Sequence, residues 1–102
     1  MSYQIEYADA AIEHLKFLTT RQQRTVLDTV DEQLKYEPLV ETRNRKPMES
    51  NSLATWELRI GNLRVYYDVE ENTVSVVYIQ AVGVKNRNRV RIGQEEIELC
   101  NQ

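Results

Sequence analysis

Cysteine is almost missing from this chain. Cys100 is the only one, so no intrachain disulfide can form, and the usage suits a reducing cytoplasm. Long apolar runs are missing too: none approaches the roughly 18 residues needed to cross a bilayer. The opening residues, MSYQIEYADA, have neither the basic start nor the apolar stretch of a secretory signal. A cytoplasmic protein with no membrane partner is therefore expected. There is no glycine-rich phosphate loop, and no His/Cys/carboxylate set has metal-ligand spacing, so neither metal nor other cofactor is expected. No repeat, low-complexity tract or linker divides the 102 residues, and 1–102 is read as a single domain.

What is present is an uneven distribution of charge. The net charge is −3, which by itself speaks against a nucleic-acid partner. Yet nine of the thirteen basic residues fall in two segments: Arg43, Arg45, Lys46, Arg59 and Arg64, then Lys85, Arg87, Arg89 and Arg91. No acid occurs from Asn72 to Gln94, while acids crowd the first third and the last few positions. A basic patch can exist on a protein whose total charge is negative.

Residues 2–7 alternate and predict a short strand. Asp9 is a candidate N-cap for a helix over 10–18, with Ile12, Leu15 and Leu18 on one face. Thr20-Arg21-Gln22-Gln23 fits a capping box opening a second helix to about Tyr36, with Val26 or Leu27, Val30 and Leu34 facing inward. So short a connection predicts an antiparallel helical hairpin. Residues 38–54 hold both prolines and no period, which predicts a long loop. TVSVVYIQAV is the most strand-prone stretch and predicts a central strand, whereas VKNRNRVRI after Gly83 is read as a polar tail. His14, in the first helix, is read as a surface or packing histidine.

The segment WELRIGNLRVYYD predicts a hairpin about a two-residue Gly61-Asn62 turn. Arg59 then faces Arg64, Glu57 faces Tyr66, and Trp56 faces Tyr67. Side chains alternate along a strand, so Trp56, Leu58, Ile60, Leu63, Val65, Tyr67 and Val69 share an apolar face. Glu57, Arg59, Arg64, Tyr66 and Asp68 share the other. Two arginines directly opposed weaken a hairpin by up to about 1 kcal/mol, so a carboxylate or a bound anion is expected beside them. The order β-α-α-β-β-β predicts an α+β fold, an antiparallel sheet with the helical hairpin packed on its apolar face.

These residues, in this order, resemble the RelE/ParE family of toxin–antitoxin toxins over about residues 2–91. The likeness is most specific at WELRIGNLRVYYDV and at the V-G-x-K after the last strand. It implies a RelE-like fold and, in the RelE branch, a ribosome-dependent mRNA endoribonuclease that needs no metal. A substrate 2′-hydroxyl would attack the adjacent phosphate while basic side chains stabilise the added charge. Carried over onto this sequence, the catalytic positions are Arg59, Arg64, Lys85 and Arg91, and the RNA-binding ones Arg43, Arg45, Lys46, Tyr66, Arg87 and Arg89. The resemblance also implies an antitoxin partner, mRNA on the ribosome, and DNA contact only through the antitoxin complex. Two residues depart from the pattern. Glu57 stands where ribonucleolytic relatives often have a second basic residue, and Arg91, with a pKa above about 12, is a poor proton-transfer group. The ParE branch, which inhibits DNA gyrase, and a catalytically weak relative acting with its antitoxin in autoregulation are the alternative readings.

Overall fold

Hydrophobic alternation in the second half of the chain builds one sheet, and two helices cover one side of it. The computed structural model describes residues 2–48 and 54–98, with residues 97 and 98 as backbone only. In chain order the elements are β1 (Gln4–Tyr7), α1 (Asp9–Leu15), α2 (Thr20–Leu34), β2 (Arg45–Pro47), β3 (Trp56–Ile60), β4 (Leu63–Glu71), β5 (Ser75–Asn86), β6 (Arg89–Ile92) and β7 (Glu95–Glu98). Strands β2 to β7 lie side by side in that order, each antiparallel to the next. The strand β5 is long enough to carry two partners on its second edge: β1 along its first half, parallel, and β6 along its second.

The expected α+β architecture is therefore present, and TVSVVYIQAV lies in the central strand from Ser75 onward. The expected register of the 56–67 hairpin is also present, with Arg59 opposite Arg64 and Trp56 opposite Tyr67. Helix residues Ala11, Val26, Val30 and Leu34, with Leu18 of the connection between the helices, pack on Leu58, Leu63, Val65, Tyr67, Val77, Ile79 and Val82 of the sheet. Trp56 stacks on Tyr67 with ring centroids 6.1 Å apart.

Several details differ from expectation. The first strand joins in parallel rather than antiparallel fashion. The stretch read as a long loop contains β2, and the stretch read as a polar tail forms the end of β5 and the strand β6, with β7 following. In VKNRNRVRI, Val84 packs against the helix-side core, while Val90 and Ile92 cover the sheet face opposite the helices together with Tyr66 and Ala81. Asp9 is the first helical residue and not the cap; Ala8 precedes the helix without a side-chain cap. Ala11 is the buried residue of α1, and Ile12 is 44% exposed. The capping box sits one residue earlier than expected. Thr19 Oγ1 accepts from the Gln22 N–H at 3.1 Å, and Gln22 Oε1 accepts from the Thr19 N–H at 2.9 Å.

Candidate phosphate-binding face

Directly opposed residues on paired strands project from the same face of a sheet. One ladder row runs Lys46, Glu57, Tyr66, Ala81 across β2 to β5. The next runs Arg59, Arg64, Gly83, Ile92 across β3 to β6. Lys85 lies one step further along β5, opposite Val90, on that same face. The side away from the helices thus gathers Lys46, Glu57, Arg59, Arg64 and Lys85 from four strands far apart in sequence.

The apposed arginines are relieved in two different ways. Arg59 donates from Nε to Glu57 Oε1 at 3.0 Å. Arg64 turns inward, and its Nη1 donates to the carbonyls of Gly61 at 2.7 Å and Leu63 at 2.8 Å. The turn that sets the register thereby also anchors the guanidinium. Gly61 has φ 60, the conformation that a two-residue hairpin turn of this kind demands at its first position. Arg64 is buried, and desolvation lowers its pKa; the Glu57 charge opposes this and Arg59 adds to it. Arg59 stays 36% exposed while the Glu57 side chain is 7% exposed, so the outward charge of the pair belongs to the arginine.

Of the four expected catalytic residues, the structure brings Arg59, Arg64 and Lys85 together and separates Arg91 from them. Arg91 opposes Val84, whose row continues to Leu63 on the helix side of the sheet. The physical reason is the two-residue turn at Arg87-Asn88, which fixes the alternation of β6 so that Val90 and Ile92 take the Arg64 face. Arg89 projects with Arg91 and forms an exposed ion pair with Glu96 at 3.3 Å. Arg87 is exposed at the tip of that hairpin, and Lys85 is half-buried.

Among the expected RNA-binding residues, Arg43 is exposed and Lys46 is half-buried on the site face. Arg45 is not available for RNA. It opposes Leu58, so it projects to the helix side, where it is 6% exposed and donates to the Glu37 carbonyl. Beside it the Tyr67 hydroxyl donates to the Pro38 carbonyl at 2.7 Å, and the two side chains fasten the end of α2 to the sheet. Tyr66 cannot stack on a base either, because Val90, Ile92 and Ala81 enclose it completely. Among the described residues its hydroxyl has no hydrogen-bond partner; burial, and then the nearby Glu57 charge, raise its pKa above the usual tyrosine value.

The residue whose place the sequence only half disclosed is Glu57. Its spacing of two from Arg59 on a strand put the pair on one face; what the sequence hid is β2 beside it, in a stretch read as loop. Among the described residues no group of three His, Cys, Asp or Glu side chains is placed to hold a metal ion. The face can seat an anion: Arg59, Lys46 and Lys85 supply partly exposed positive charge over a buried, hydrogen-bonded floor.

No protein-family model matches the sequence, and no curated protein matches it. Among solved structures, the chain is similar to a chain of the RelBE2 toxin–antitoxin complex from Mycobacterium tuberculosis. The identity is 25%, the TM-score 0.71, and the match covers 83% of this chain and 100% of that one.

Proposed function

We propose, from this likeness to a chain of the RelBE2 complex, that the chain is a RelE-like toxin of a type II pair, a metal-independent endoribonuclease acting on mRNA at the ribosome. A cognate antitoxin is its partner, and DNA is reached only through that complex. Its place of action is the cytoplasm, where ribosomes are. The observation that carries the reading is the Arg59–Arg64 cross-strand pair with Lys46 and Lys85 on the same sheet face. Attack of a 2′-hydroxyl on its neighbouring phosphate adds negative charge at phosphorus, and fixed cations at that point stabilise it. Arg59 and Lys85 carry that charge directly, and Arg64 holds the turn and adds field from below. The 2′-hydroxyl gives its proton to solvent as the bond from phosphorus to the 5′-oxygen breaks, and Lys85, the ammonium on that face, is assigned to protonate the departing oxygen.

A second reading is an inhibitor that binds its target without cutting RNA, as in the gyrase-directed branch. It is favoured by two observations: Arg64 is committed to backbone carbonyls, and Arg91 lies on the opposite face. Mapping transcript ends after induction separates the two. The nuclease reading expects growth arrest with new internal ends, both abolished by Arg59→Ala. Because Arg64 also secures the hairpin, Arg64→Ala is informative only alongside a circular-dichroism check of folding. Arrest with intact transcripts would sink the nuclease and leave the inhibitor.

A further inference from the structure

A carboxylate in the middle of a phosphate-binding face weakens that face by simple charge addition, yet Glu57 is held there firmly. It lies on β3 between β2 and β4, its side chain is 7% exposed, and Tyr66 stands directly opposite it. We propose that Glu57 is a positioning residue: it grips Arg59 by Nε so that the outer edge of the guanidinium faces solvent as a two-pronged seat for one phosphodiester of a single-stranded RNA. This rests on the RNA-directed reading above and names the residue that prepares its site.

The geometry points that way in three respects. Glu57 and Arg59 are two apart on one strand, so their side chains rise from the same face next to each other. The contact uses Nε, at 3.0 Å from Oε1, which leaves both Nη groups uncommitted among the described residues. A guanidinium presents its donors in a rigid planar fork matching a phosphate, and fixing it beforehand reduces the rotamer freedom lost on binding. Arg64 cannot take this part, because its Nη1 is already engaged by two carbonyls. Lys46, across from Glu57, and Lys85 flank the fork with further positive charge.

Charge addition and positioning predict opposite signs. Removing the carboxylate makes the face one charge more positive, which by electrostatics alone tightens RNA binding. If Glu57 aims the fork, its removal weakens binding. The test is a fluorescence-anisotropy titration of the full-length chain with an uncleavable 2′-O-methyl RNA oligonucleotide. Arg59→Ala is expected to weaken binding about tenfold, the scale of a charge-assisted contact. Glu57→Ala is expected to weaken it comparably. Glu57→Gln, whose amide oxygen still accepts from Nε, should restore most of the affinity. In an Arg59→Ala background, Glu57→Ala should cost nothing more. Unchanged or tighter binding by Glu57→Ala, with Arg59→Ala weakened, overturns the positioning role and spares the RNA reading. Wild-type chain that fails to bind, or binding indifferent to Arg59→Ala, overturns the RNA reading itself. Should Glu57→Ala not fold, the wild type still decides. Its Arg59 Nε–H resonance is expected to be protected from solvent exchange, and exchange as fast as in a free arginine overturns the proposal.

Discussion

Between Ile79, where β1 stops, and Gly83, where β6 begins, the second edge of β5 has no strand beside it. His14 fills the gap: the Val82 N–H donates to His14 Nδ1 at 3.3 Å. Only the neutral ring, with its proton on Nε2, can accept there. Burial lowers the pKa of His14, against an opposing pull from Glu95. A base whose pKa falls on folding binds fewer protons in the folded state, so stability declines as pH drops. The loss begins near the unfolded value of about 6.5 and is complete below the folded one. Urea denaturation between pH 7.5 and 5 is expected to show this decline, and His14→Asn, whose Oδ1 can also accept from Val82, should flatten it. A wild-type profile as flat as the variant's would contradict the account. A packing role for His14 was readable from its helix. The bond was not, because Val82 lies 68 positions away. Arg59 and Arg64 were readable to the register, since a two-residue turn fixes every pair outward from it. Arg45 was misplaced because nothing in RNRKP marks a three-residue strand or says which face it shows.

Three hairpins of the sheet turn through two residues, and their first turn positions share one conformation. Gly61 has φ 60, Gly93 has φ 63, and between them in sequence Arg87 has φ 60. Arginine there carries a Cβ that the left-handed region disfavours by about 1–2 kcal/mol. Part of any gain from glycine is offset by its greater freedom when unfolded. Arg87→Gly is therefore expected to stabilise the fold by about 0.5 kcal/mol, or roughly 2–4 °C in Tm, by calorimetry. A lowered Tm would show that the Arg87 side chain makes a contact worth more than the strain. The same residue explains why the return of the chain into β6 was not foreseen: the β5–β6 turn lacks the glycine that announces the other two. The alternation of Val90, Arg91 and Ile92 was present, but two apolar residues among so many charges are a weak signal until β5 is there to pair with. Close packing then needs Gly83, where a Cβ would stand 2.7 Å from the Arg91 carbonyl oxygen and from Val90 Cγ1.

Across the whole molecule, charge is sorted more sharply than its total suggests. The chain is acidic, with net charge −3, yet Lys46, Arg59 and Lys85 rise from one side of the sheet. Affinity for RNA should follow that local set and not the total. Three phosphate contacts on a single strand, at about 0.7 each, predict a slope near −2 when the logarithm of the association constant is plotted against the logarithm of salt. Anisotropy titrations from 50 to 200 mM salt (a range chosen on the order of physiological ionic strength) test this, and Arg59→Ala should reduce the slope by about 0.7. A flat salt dependence would remove the face as a phosphate binder. The division into helices over an apolar face was legible at this scale, because the 3.6 and 2.0 periods separate cleanly along the chain. The parallel seating of β1 was not, since its partner lies some seventy residues further on and nothing local encodes it.

That seating has a consequence for synthesis. Residues 4–7 can dock only on residues 76–79, so the first segment to leave the ribosome waits for three-quarters of the chain before it finds its place. Lys85 emerges later still, and the Arg64 side of the sheet is walled only when Val90 and Ile92 arrive. At roughly 5–20 residues per second, a nascent chain spends seconds without the assembled surface. The basic face is thus completed only when translation is nearly finished.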